Sequence, residues 1–289
     1  MALKLVLAAI TGQETDDATL GVAAAMARRF NAHIDALHVK GDPRDAIPFL
    51  GEGASGVLIE QIMAAAERDS GTRSGKARAT FEAWRGGSGL AVATRPGGEA
   101  MPTVAWREET GTEEECMARY GRVSDLIIVG RPPADDSGAS IVVFETALFD
   151  TGKPVIVVPP GPLPVPIVGT PAVIFWTGSA EAAHAVSSAI PLLAAAESVV
   201  VIPSSPGGKP TETEPLVEYL AWHGIRAVPR DPLPITPTAG ADLLTNAKRE
   251  GAGLLVMGAY TQSRLRQLIY GSVTKHVLTR TILPVLMAH

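Results

Sequence analysis

The sequence predicts an α/β protein made of two tandem five-stranded parallel-sheet domains, and three observations predict it. Short runs of Val, Ile and Leu alternate with amphipathic stretches, as βαβ units require. The alternation restarts after residue 160. A proline-rich segment, PPGPLPVPIVGTP at 159–171, stands at the restart.

The first half opens on LKLVLAAI (3–10). A helical stretch follows at 16–30, where Leu20, Ala23, Ala24 and Ala27 share one face. The next apolar runs are HIDALHV (33–39), TVAWREE (103–109), DLIIVG (125–130) and PVIVVP (154–159). Continuous apolar strands, rather than alternating ones, imply a sheet covered by helices on both faces. The second half repeats the series as AVIFWTG (172–178), SVVVIP (198–203), IRAVPR (225–230), GLLVMG (253–258) and PVLMAH (284–289). DLIIVG matches GLLVMG, and KPVIVVP matches LPVLMAH, so the repeat has large units. The prolines of the junction forbid helix and favour an extended spacer. The division expected is a first domain at 1–160, a linker at 161–170 and a second domain at 171–289.

The copies differ in one place. Val39 to Thr103 spans about 64 residues, whereas Ile202 to Arg226 spans about 24. The extra material, 42–100, carries a long helical pattern at 57–85 and a Gly-rich tail. It reads as an insertion on one edge of the first domain.

Bulk composition excludes several functions. With 289 residues, 46% hydrophobic and 19% charged, the chain supports a folded core. A net charge of −5 argues against nucleic acid as partner, because phosphate contacts need a basic face. The single cysteine, Cys116, excludes an intrachain disulfide and points to a reducing compartment. The start MALKLVLAAITGQETDD does not read as a signal peptide, and no apolar run reaches membrane-spanning length. The expected location is the cytoplasm, with no membrane partner.

Most candidate motifs fail on their physics. GEGASG (51–56) fits the dinucleotide pattern, but DPRDAIPFL precedes it where a strand should deliver the first glycine. SSPGGKPT (204–211) lacks the first glycine of a phosphate-binding loop, and Pro210 follows its lysine where a hydroxyl should stand. The six histidines show no metal-ligand spacing, and no nucleophile elbow or triad is present. Asp16-Asp17 and Glu113-Glu114-Glu115 sit at expected helix starts, where they complement the helix dipole.

One segment carries more. LLVMGAYTQSRLRQLIYGSVTKHVL (254–278) reads strand, basic loop, helix, with Gly258 and Gly271 at the joints. Gly258 ends a buried parallel strand, at the sheet edge where open α/β sheets bind ligands. Ser272, Val273 and Thr274 open the helix. Their amides have no intrahelical acceptor and carry the positive end of the dipole. Such a terminus binds phosphate, with the Ser272 and Thr274 hydroxyls as added donors and Arg264 and Arg266 as added charge. The competing reading is a capped helix with solvated arginines.

On these residues the chain resembles a tandem universal stress protein (UspA-like, two such domains in one chain). That family carries Gly, two residues, Gly, nine residues, Gly and then Ser or Thr ahead of its last helix. Here Gly258, Thr261, Gly271 and Ser272 stand at those places. LLVMGAY, SRLRQLI, VTKHVL, LPVLMAH and VIFWTGSAEAAHAV (173–186) are similar too. The resemblance implies an adenine nucleotide alpha hydrolase-like fold, the two domains packed as an internal pseudo-dimer through 154–159 and 284–289. A further homodimer is compatible with it.

It also implies ATP, with or without magnesium, as ligand of the second domain. Adenine would lie at Phe175, Trp176, Thr177 and Ile202, the ribose at Met257 and Gly258, and the phosphates at Gly258, Thr261, Gly271, Ser272, Val273 and Thr274, with Arg264 beside them. Two departures weaken this site. Thr177 stands where nucleotide-binding members have an acidic residue, and a hydroxyl accepts hydrogen bonds less well. Thr261 replaces a glycine, and its β-branched side chain resists positive φ. In the first domain Gly130 is followed by RPPADDSGASIVVFET, with Pro133 in the second glycine's place and Phe144-Glu145 expected at the helix start. Pro133 offers no amide, and Asp135, Asp136 and Glu145 would repel phosphate. The first domain is therefore expected to be a scaffold without a ligand. No residue is poised as a catalytic base, so the expected role is regulatory. A slow ATP hydrolase and a scaffold acting through protein contacts remain open.

Overall fold

A computed structural model describes residues 3–46, 56–97, 101–133, 138–204, 213–231, 239–259 and 272–289. The chain forms two compact units. One is Lys4–Thr151; the other takes Gly152–His289 together with Leu3.

The N-terminal unit runs β1 (Leu5–Ala9), α1 (Asp16–Phe30), β2 (His33–Lys40), a 3₁₀ turn (Pro43–Ala46), α2 (Gly56–Ser88), β3 (Ala91–Val92), β4 (Thr103–Thr110), α3 (Glu113–Gly121), β5 (Leu126–Gly130) and α4 (Ala139–Phe149). Its strands lie in the order β3-β4-β2-β1-β5, all parallel. The C-terminal unit runs β6 (Val155–Val158), β7 (Ala172–Trp176), α5 (Ala180–Leu193), β8 (Val199–Pro203), α6 (Glu214–Trp222), β9 (Ala227–Pro229), α7 (Ala239–Arg249), β10 (Leu254–Gly258), α8 (Ser272–Arg280) and β11 (Val285–Ala288). Its order is β9-β8-β7-β10-β11-β6. All pairs are parallel except β6, which runs antiparallel to β11. The strands that the sequence expects to join the two halves do hydrogen-bond. Both belong to the C-terminal unit, so the compact division falls at Gly152, ahead of β6.

The apolar runs become strands because they are buried on both faces. In β6 and β11 every residue is buried, and β1, β5, β7 and β10 are buried but for one end residue each. Helix α1 covers its sheet with Leu20, Ala23, Ala24 and Ala27, all buried. It stops at Asn31, whose left-handed backbone (φ 53°) lets its amide reach the Ala27 carbonyl. Cys116 lies within α3, where burial pushes its thiol pKa up, so it is an ordinary buried thiol.

The insertion contributes α2 and the edge strand β3. Helix α2 has 33 residues, yet only Ser70, Ala77 and Phe81 are buried. Their spacing defines one narrow seam. Phe81 is 2% exposed and packs 5.0 Å from the Trp106 ring of β4. Arg78 lies over Trp106 at 5.2 Å, and Trp106 stacks on His38 of β2 at 5.9 Å. Burying Phe81 contributes about 2–3 kcal/mol to holding the helix down.

One expectation is corrected. Helix α4 starts at Ala139, with Gly138 as its N-cap, rather than at Phe144-Glu145. The loop after Gly130 is short, 131–138, whereas 259–271 separate Gly258 from α8. Counting by the longer spacing overshoots the helix start by about a turn and a half. Phe144 is a buried residue of the helix interior, and Glu145 sits beside it, away from the N-terminus. Gly138 and Ser140 open the helix instead.

Candidate functional site

Strand order locates the candidate site. In each unit the chain winds outward from one central strand, β1 through β2 to β4 and β7 through β8 to β9, then crosses back to place the next, β5 or β10, on that strand's other side. The reversal lies between β1 and β5 in one unit and between β7 and β10 in the other. Ligands of open α/β sheets bind at such reversals, outside the carboxyl ends of the strands.

In the C-terminal unit this edge is formed by Trp176 at the end of β7, by Thr177 and Gly178 after it, and by Gly258 at the end of β10. Phe175 pairs in register with Ile202 on one side and Met257 on the other. All three side chains are buried in the core, so they can meet a ligand only through backbone. Trp176 is half-buried, while Thr177 and Gly178 are exposed. The Thr177 hydroxyl lies 3.1 Å from Ser179 Oγ, and Ser179 Oγ accepts from the Ala182 amide at 3.2 Å, capping α5. Gly178 has φ +71°, and a Cβ there would meet nothing within 4 Å among the described residues.

Gly258 has a packing role that the sequence reading missed. A Cβ on it would lie 2.5 Å from the Ala182 amide nitrogen and 2.7 Å from the Glu181 carbonyl carbon. The glycine lets the start of α5 approach the end of β10. Just beyond it, the Ala259 amide donates to the Ala288 carbonyl at 3.0 Å and the Ala259 carbonyl accepts from His289 Nδ1 at 3.1 Å. Ala259 therefore has no free amide to offer. Helix α8 begins at Ser272 and has no acidic residue in its first turn, which suits an anion. Val273 is half-buried and Thr274 is 6% exposed, so the Thr274 hydroxyl presents little surface to a ligand. Thr261, Arg264, Arg266 and Gly271 lie outside the described residues, as does the side chain of Ser272.

The N-terminal unit repeats this geometry and then closes it. Thr11-Gly12 follows β1 as Thr177-Gly178 follows β7, and Gly12 also has positive φ, +78°. Gly130 abuts Thr15 at the start of α1, as Gly258 abuts α5. Here, however, a Cβ on Gly12 would lie 2.7 Å from the Arg73 carbonyl oxygen of α2. Arg73 pairs with Glu113 of α3 at 3.3 Å, and Ser70 donates to the Gly41 carbonyl at 3.2 Å. Asp16, 1% exposed, accepts from the Thr11 amide at 3.0 Å and from the Gly12 amide at 2.8 Å. Burial pushes its carboxyl up to about 6 in spite of these hydrogen bonds. His38 donates from Nδ1 to the Ile10 carbonyl at 2.7 Å, and burial pushes its pKa down, so the ring is held neutral. What remains is a cavity of about 10 Å³ lined by Thr11, Arg73, Glu113, Met117, Ala139 and Val143, room for about one water. Among the described residues no carboxylate takes the Thr177 and Gly178 amides as Asp16 takes those of Thr11 and Gly12.

Thr11, Gly12, Gly178 and the role of Asp16 toward its own loop escaped the sequence reading, which named only Thr177 of the two Thr-Gly pairs. The pair recurs after the first strand of each half, and that repetition is the signal that could have found it. Asp16 was read as a dipole partner only, since nothing in the sequence says that its carboxylate turns back to the preceding loop.

No family model and no curated protein matches the sequence. Solved structures do match. A universal stress protein from Archaeoglobus fulgidus DSM 4304 is 16% identical and superposes with a TM-score of 0.61, over 98% of this chain and 95% of that one. A putative universal stress protein from Pseudomonas aeruginosa UCBPP-PA14 gives 14% and 0.53, over 99% and 93%. The functionally unknown protein PA1789 from Pseudomonas aeruginosa PAO1 gives 14% and 0.53, over 99% and 92%. At such identities the likeness is one of fold, and in fold this chain is similar to universal stress proteins over nearly its whole length.

Proposed function

We propose that the protein is a universal stress protein that binds an adenine nucleotide, ATP foremost, at the crevice of its C-terminal unit, and that it acts by regulation rather than catalysis. The observation that carries this reading is the open edge at Thr177-Gly178, set at the chain reversal of the unit that also holds the helix start Ser272-Val273-Thr274. The base would rest on the exposed backbone after β7. The phosphates would turn to the amides at the start of α8, with Arg264 supplying charge. The N-terminal unit lends itself to a scaffold, because Asp16 and α2 already take the corresponding groups.

Freshly purified protein, denatured and analysed by chromatography, is expected to release ATP or ADP. Thermal shifts with ATP, ADP and AMP are expected to rise with concentration, by about 2.7 kcal/mol of stabilisation at 100 times Kd. No release, and no shift at millimolar nucleotide, would overturn the reading and leave a scaffold. Magnesium-dependent turnover well above background would favour a hydrolase.

A further inference from the structure

We propose that α2 is a built-in plug for the N-terminal unit, occupying the ligand edge that the C-terminal unit leaves open. The proposal rests on the reading that these sheet edges are the ligand edges. Gly12 and Gly178 are the comparison that carries it. Both follow a threonine just past the central strand of their unit, β1 or β7, both have positive φ, and they differ in what stands in front of them. Among the described residues nothing lies within 4 Å of a Cβ on Gly178, whereas Gly12 meets the α2 backbone at Arg73.

Three independent contacts hold the plug. The Arg73–Glu113 ion pair ties α2 to α3, and neither partner is more than a quarter exposed. Ser70 caps the Gly41 carbonyl. Phe81 and Arg78 lock onto Trp106. Asp16 completes the closure by taking the Thr11 and Gly12 amides that an incoming ligand would need. The seam is narrow, since three buried residues anchor a helix of 33, so the plug can lift while the sheet beneath stays folded.

The test compares Gly12→Ala with Gly178→Ala in the full chain. Both impose the same strain at positive φ, but only Gly12→Ala drives a methyl group into α2. Amide exchange near residue 73 is expected to become about tenfold faster in Gly12→Ala, with β1 and β5 unchanged, and to stay at the wild-type rate in Gly178→Ala. Exchange in α2 that is unchanged in Gly12→Ala, or equally raised in both variants, would overturn the proposal. A second measurement needs no destabilising change. Thr11→Cys should react with a maleimide at least about tenfold more slowly than Thr177→Cys, and equal rates would also overturn it. Neither readout uses nucleotide, so their failure is separate from failure of the nucleotide reading. ATP filling two sites per wild-type chain would refute the plug while sustaining that reading.

Discussion

Asp16→Asn isolates the energetics of the closed edge. Asp16 is 1% exposed, and its carboxyl is raised from the ordinary 3.8 to about 6, with desolvation as the largest cause and the Thr11 and Gly12 hydrogen bonds working against it. The sign follows from linkage. Between pH 3.8 and about 6 the unfolded chain has released this proton and the folded chain still holds it, so stability falls as pH rises through that window and levels off above it. The size is about 3 kcal/mol across the whole window. Asparagine does not titrate, and it offers one acceptor oxygen to two amides. It therefore loses about 1–3 kcal/mol of hydrogen bonding at every pH. The constant loss cancels when one pH is compared with another. Relative to wild type, Asp16→Asn should gain about 2 kcal/mol between pH 4.5 and 7. Urea unfolding of both proteins at four or five pH values measures this, and the ¹³C carboxyl shift of Asp16 should titrate near pH 6. A difference between the two proteins that is flat with pH, or that grows in favour of wild type, would refute the argument.

Gly258→Ala should destabilise by about 1–3 kcal/mol, because the α5 backbone at Glu181 and Ala182 must move; an unchanged Tm would refute the close packing. Thr177→Asp should tighten ATP binding about tenfold by titration calorimetry, through a stronger acceptor at the exposed edge; unchanged affinity would remove Thr177 from the site. Arg107→Met should cost about 1–3 kcal/mol in urea unfolding, less than a fully buried pair because the Arg107 side chain is 38% exposed. It strands the carboxylate of Asp35, 6% exposed, whose Oδ2 bonds Arg107 Nε at 2.8 Å and whose Oδ1 has no hydrogen-bond partner among the described residues. Arg107→Lys should recover part of that loss, and a loss below about 1 kcal/mol would refute the pairing.

What the sequence determined by itself is the layered architecture. Every strand expected from an apolar run is present, within about two residues at each end, because burial on both faces demands continuous Val, Ile and Leu whatever the partner. The long helix of the insertion and the apolar face of α1 were legible for the same reason, since helical period is local. Strand β3, two residues long, left no periodic trace. The start of α4 was misplaced, because a loop length borrowed from the other half carries no force of its own.

Only the tertiary structure decided which edge is open. Thr11-Gly12 and Thr177-Gly178 are the same dipeptide just past equivalent strands, and the dipeptide itself does not separate them. The difference comes from α2, a helix about sixty residues downstream of Gly12 that lies across it, and from the Asp16 side chain turning back on its own loop. Asp16 acts locally, four residues past Gly12, but the cover that α2 supplies is packing between segments distant in the chain, and neither hydrophobic period nor motif spacing encodes it.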